Sequence, residues 1–226
     1  MKNIKKAIIS MIAIVGLSTN VNAFEGLSVG AAYSSLDFST SGSEVARGVV
    51  GGGAMTVNKT SKSGSGDIGS IFAEYSFAQG STIGIDYISG STEIGKASRT
   101  ETGTTSGTVT ASAAISNPMT FYVEPTYMVN DVFGVYVKGG ATSITVQPKE
   151  VADAGNVVTS TYKDKDIWGI MTGVGAKYYM GNFFVKAEYL ETEFQTYTHT
   201  STTGDKNTIS ADVDTEETRF ALGYNF

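Results

Sequence analysis

The sequence predicts an all-β fold: an eight-stranded, antiparallel, up-and-down β-barrel that crosses a membrane. Three observations predict it. Alternation of apolar and polar residues with a period of two recurs eight times along the chain, and helical periodicity is nearly absent. Most apolar faces stay free of charge for about eight to ten residues, the length of a tilted membrane strand. The connections alternate between short and long, as they do when turns gather at one rim of a barrel and loops at the other.

The first 23 residues set the compartment. Lys2, Lys5 and Lys6 precede an apolar core from Ala7 to Leu17, which is too short to span a bilayer. Val21 and Ala23 then hold the small-residue positions of a cleavage site. This is the pattern of a secretory signal peptide, cut after Ala23, with a barrel domain over residues 24–226. Cleavage removes three lysines and no acid, taking the formal net charge from −6 to −9. Such a chain is unsuited to nucleic acid, whose phosphates need clustered Lys and Arg. Cysteine is absent, so no disulfide supports the fold.

The strands follow in order. Leu27, Val29, Ala31 and Tyr33 share the first apolar face, which ends at Ser35 and Asp37. Ile71, Ala73, Tyr75 and Phe77 form the second, bounded by Asp67. Ile83, Ile85 and Tyr87 form the third, bounded by Glu93. Met119, Phe121, Val123, Pro125 and Tyr127 make the fourth, and Phe133, Val135, Val137, Gly139 and Ala141 the fifth. The sixth runs from Trp168 through Ile170, Val174 and Tyr178 to Met180, with Asp166 before it. Phe183, Val185, Ala187 and Tyr189 make the seventh, bounded by Glu191 and Glu193. Phe220, Leu222, Tyr224 and Phe226 close the series. A soluble sandwich has no reason to cut its apolar faces to a common length.

Short connections are expected around Gly80, Asp131 and Gly181. Long loops are expected near 39–66, 94–117, 148–165 and 195–213, all rich in Gly, Ser and Thr. The stretch GTVTASAA, from Gly107, is rich in β-branched residues and is a candidate for strand continuing above the membrane. In the first long loop, Val49, Val50 and Met55 among glycines read as a partner contact or a flexible tip.

The second face of the strands carries four acids, Glu74, Asp86, Glu124 and Glu188, and four bases, Lys138, Lys177, Lys186 and Arg219. An eight-stranded barrel has an interior just wide enough for side chains. Isolated charges there are costly, so these eight should pair across the lumen. Phe72, Tyr122, Tyr136, Met171, Tyr179 and Phe184 share that face and fill space. Two readings follow: a closed, salt-bridged lumen, or a narrow charged conduit for small solutes.

With these residues the chain resembles the small eight-stranded outer-membrane barrels of the OmpA/OmpX type. The resemblance covers the chain from residue 24 onward and implies a location in the bacterial outer membrane, in contact with its lipid. It also implies that the terminal strand, with Phe220, Leu222, Tyr224 and Phe226, is the signal read by the barrel-assembly machinery. Long surface loops imply an extracellular partner and a structural or adhesion-like role.

Catalysis finds little support. The spacing of His199 and Ser201 resembles that of the outer-membrane lipid A deacylases. However, His199 lies sixteen residues beyond Phe183. At ~3.3 Å per residue that is well above the lipid. It reads as a solvated loop residue. Asp212, Asp214, Glu216 and Glu217, with Glu191 and Glu193 across the hairpin, offer oxygen ligands for a hard cation, but match no calcium-loop spacing and read more simply as solvated charge. There is no phosphate loop, metal-ligand cluster or nucleophile elbow. No enzyme, cofactor or metal is expected.

Overall fold

The computed structural model describes residues 25–46, 56–77, 80–101, 107–153, 161–202 and 208–226. The signal-like segment and the Val49, Val50 and Met55 stretch lie outside the described residues. Eleven strands run in chain order: β1 Gly26–Ala46, β2 Thr56–Phe77, β3 Ser81–Tyr87, β4 Ser91–Glu101, β5 Gly107–Glu124, β6 Thr126–Met128, β7 Phe133–Ala152, β8 Lys165–Met180, β9 Phe183–Phe194, β10 Tyr197–Thr200 and β11 Thr208–Asn225. All pairings are antiparallel. β1 pairs with β11 from Ser28↔Asn225 to Val45↔Thr208, and β5 pairs with β7, so the sheet closes on itself.

Eleven strands make eight staves because three staves are interrupted. β3 and β4 are one stave broken at Ile88–Gly90, where Gly90 takes a φ of 117°. β5 and β6 are one stave broken at Pro125, which has no N–H to give to a ladder. β9 and β10 are one stave broken at Gln195 and Thr196. The short connections are turns. Asn130 Oδ1 accepts from the N–H groups of Val132 and Phe133, at 3.0 and 2.9 Å, and Gly181 turns the β8–β9 hairpin with a φ of 64°.

The regions expected as long loops are mostly strand. β1 continues to Ala46, β2 begins at Thr56, β5 begins at Gly107 and β7 reaches Ala152. The GTVTASAA stretch is the first part of β5. Such runs need no apolar outer face, because they stand in water and are held by ladder hydrogen bonds and β-branched packing.

The outward faces are those the alternation predicts. Leu27, Tyr33, Ile71, Tyr75, Ile83, Phe121, Val123, Trp168, Ile170, Phe183, Phe220, Leu222 and Phe226 are all exposed on the outer wall. Val137 is an exception: it has outward parity and is buried, its N–H bonded to the carbonyl of Pro125 at 3.3 Å. On β11, Leu222 is 54% exposed while Ala221 is 7% exposed. Leu222→Arg is therefore expected to cost about 2–4 kcal/mol near the bilayer midplane, with Ala221→Ser mild. Urea unfolding of the refolded protein checks the pair; equal tolerance at both sites contradicts the facing.

The wall has a seam. β2 pairs with β3 only as far as Ile71↔Tyr87. Beyond that point, among the described residues, β2 pairs with β1 alone and β4 with β5 alone. The break at Ile88–Gly90 stays bound to the β5 side, through Ile88 N–H to Pro118 O at 3.0 Å and Asn117 N–H to Gly90 O at 3.1 Å. Asn117, with a φ of 50°, sits in a bulge of β5 opposite the break. Strand β4 thus follows β5 and parts from β2.

Candidate functional site: the charged lumen

At the level of the ion-pair network, the inward face carries charges on every stave but β1. Glu74 comes from β2, Asp86 from β3, Glu124 from the end of β5, Lys138 from β7, Lys177 from β8, Lys186 and Glu188 from β9, and Arg219 from β11. Local sequence accounts for the placements, since all but Lys138 lie one residue from an outward apolar side chain and strand side chains alternate; Lys138 follows the buried Val137. All eight are buried.

Glu124 is the hub. It lies 3.1 Å from Lys138, 3.5 Å from Lys177 and 2.8 Å from Lys186. Lys186 also pairs with Glu74, and Lys138 with Glu188 at 2.9 Å. Arg219 pairs with Asp86, and its Nε faces Glu188 Oε2 at 3.2 Å without a well-aligned hydrogen bond. The remaining valences are met by neutral groups. Tyr122 donates to Glu74 at 2.6 Å and Tyr136 to Glu188 at 2.8 Å. Ser70 donates to Asp86 at 3.1 Å. Lys177 donates to the Gly80 carbonyl at 2.9 Å and to Thr82 at 3.2 Å. Lys138 lies 3.8 Å from the centre of the Tyr122 ring, a cation–π contact.

The balance of four acids to four bases needs correction. Glu217 is a fifth inward acid. It accepts a hydrogen bond from Ser34 and lies 3.9 Å from Arg219. Its parity with Arg219, two residues on, was visible in the sequence but masked by its acidic neighbours. Asp212, Asp214 and Glu216 point outward, so the acids near the end of the chain are not one cluster. Among the described residues no group of three or more His, Cys, Asp and Glu side chains is placed to hold a metal ion.

The rings that pack the lumen rest on glycine. Tyr122 stands opposite Gly84 and Tyr136 opposite Gly175 in adjacent strands. A Cβ on either glycine would lie 2.5 Å from the tyrosine Cζ. Sequence reading noted the rings and missed the glycines; cross-strand register was the signal that was lacking. Gly175→Ala is expected to push Tyr136 off Glu188 and cost about 1–3 kcal/mol. A shifted urea midpoint checks it, and Gly139→Ala, where an added Cβ meets nothing within 4 Å, is the control.

Above the network lies a cavity of about 280 Å³, reaching from Asp86, Lys138 and Arg219 up to Ile115, Ile144 and Val213. An apolar layer of Ile115, Ile144, Val146, Ile167, Tyr197 and Val213 roofs it. A second space of about 420 Å³ lies higher, among Val109, Ala111, Pro148, Tyr162 and Ile209. His199 belongs to this upper region. It is not a solvated loop residue: it lies on β10, its ring 6.3 Å from those of Tyr162 and Tyr197, with Nε2 shielded from solvent. Pairing of β10 with the start of β11 holds it beside those two rings.

A closed antiparallel ring, an apolar outer belt and a charged interior together describe a barrel in a bilayer. A family model for the outer membrane protein beta-barrel domain matches residues 7–226. The chain belongs to that family. The barrel therefore resides in the bacterial outer membrane, in contact with lipid. Comparison with curated protein sequences found no match. Among solved structures, the barrel is similar to OprG from Pseudomonas aeruginosa, at 14% identity over 92% of this chain and 100% of that one, with a TM-score of 0.44. It is similar to Neisserial surface protein A, at 14% identity over 87% and 99%, with a TM-score of 0.40. It is also similar to Ail of Yersinia pestis, solved with the heparin analogue sucrose octasulfate, at 12% identity over 84% and 98%, with a TM-score of 0.34.

Proposed function

We propose that this outer-membrane barrel is a closed scaffold. Its ion-paired lumen blocks passage, and its strands carry surface loops into the medium for a structural or adhesion-like role, without catalysis. The observation that supports the plug is the hub at Glu124, fully buried and within 3.5 Å of three lysines. An ion crossing at this level must displace side chains that already satisfy one another. The long extensions of β1, β2, β5 and β7 support the display role, since these strands run many residues past the apolar belt. The extracellular partner is expected at their tips, and Phe220, Leu222, Tyr224 and Phe226 are the expected contact with the assembly machinery.

Purified, refolded barrel in a planar bilayer tests the plug. Wild type is expected to show no steady conductance. Steady single-channel current at neutral pH favours the alternative, a narrow channel for small solutes.

A further inference from the structure

The seam and the cavity beneath the apolar roof meet. The 280 Å³ space is walled by Leu36, Ile68, Ile88, Ile115, Met171 and Leu190. Its boundary also includes Gly69, Ser89 and Ser91, which are exposed residues at the two lips of the seam. The cavity thus runs out sideways, where the β2–β3 ladder has stopped at Ile71↔Tyr87. Those two residues expose their side chains on the outer wall, and the next outward residues on β2 are Gly69 and Asp67. The mouth therefore sits at the outer edge of the hydrocarbon layer.

We propose that the upper lumen is a blind pocket for one hydrocarbon chain, drawn from a lipid of the outer leaflet through the seam between β2 and the β3–β4 break. Four features select that occupant. The mouth begins directly above Ile71 and Tyr87, the last exposed apolar residues of β2 and β3 before the seam. The walls between mouth and floor are mostly aliphatic, with Thr120, Thr142, Thr192, Thr215 and Glu217 among them. The space exceeds the roughly 150 Å³ that holds a benzene and sits near the lower end of ligand pockets, about 300 Å³, so it takes part of one chain and not a whole lipid. The lips carry the Ser89 and Ser91 side chains, which suit a polar headgroup left outside.

Hydrophobic transfer does not drive the step, because a chain leaves one apolar medium for another. Dispersion contacts between the chain and the aliphatic side chains of the wall favour it instead. The floor is the Asp86, Lys138 and Arg219 layer, so the chain stops there. This blind end rests on the plug reading, whereas the lateral opening does not.

The experiment uses wild-type barrel refolded in phosphatidylcholine bilayers, with one acyl chain bearing a terminal diazirine. After illumination, labelled residues are mapped by mass spectrometry. Labels are expected on inward Leu36, Ile88 and Met171 as well as on outward Tyr33, Ile71 and Tyr87. Excess dodecane is expected to reduce inward labelling at least several-fold and to spare the outward sites. Gly66→Phe should do the same, because an added Cβ there meets nothing within 4 Å and the ring fills inward space beside Leu36. Labels confined to outward residues overturn the proposal, and so does inward labelling that dodecane leaves unchanged. The dodecane arm needs no variant to fold. Failure of the plug alone registers differently, as steady current with inward labelling intact.

Discussion

Glu124→Ala is expected to destabilise the barrel by about 5 kcal/mol, the upper end of the range for breaking a buried ion pair. The carboxylate lies within 3.5 Å of Lys138, Lys177 and Lys186, and no other acid reaches all three. Lys138 keeps Glu188 and Lys186 keeps Glu74. Lys177 keeps the Gly80 carbonyl, the Thr82 hydroxyl and the face of the Tyr136 ring, but no other acid within ion-pair distance among the described residues. Three cations then crowd one buried space with less negative charge among them. Urea unfolding of the refolded barrel measures the loss. A change under about 1 kcal/mol, the scale of a solvent-screened pair, contradicts a dry network. Glu124→Gln separates the charge from the packing: it keeps the volume and should retain most of the defect.

Arg219→Ala is expected to cost about 3–5 kcal/mol. Its guanidinium serves Asp86, Glu188 and, more loosely, Glu217. Removing it strands Asp86 with only the Ser70 hydroxyl. The double variant Arg219→Ala with Asp86→Ala should recover part of the loss, because the stranded carboxylate goes too. That coupling is the sign of a contacting pair. A stable Arg219→Ala barrel, together with steady wild-type current, overturns the plug and promotes the channel. The two predictions act at different depths. Glu124 closes the level of β6 and the short turns; Arg219 forms the floor of the upper cavity.

The alternation around Leu222 made both faces of β11 legible, because side-chain direction in a strand depends only on neighbouring residues. The same reasoning placed Glu74, Lys138 and Arg219 on the inward face. Glu217 escaped because it stands among Asp214, Glu216 and the outward rim, and only parity with Arg219 tells it apart. His199 escaped because its neighbours in space, Tyr162 and Tyr197, are joined to it by pairing above the membrane and not by local pattern. The extracellular regions read as loops because strands standing in water need no apolar face, so their sequences lack the signal that marks a membrane stave.

By itself, then, the sequence determined the class of fold and the alternation that sets most inward and outward residues. These follow from a period of two and from the cost of charge in lipid, and both act over short distances along the chain. The tertiary structure alone decided which acid meets which base, because partners such as Asp86 and Arg219 lie 133 residues apart and meet only when the ring closes. It alone decided that Gly84 and Gly175 lie under tyrosine rings, which is a matter of register between strands. And it alone parted β4 from β2 to leave a seam, because Gly90 and the bulge at Asn117 turn one stave aside while the ladder on its other edge holds.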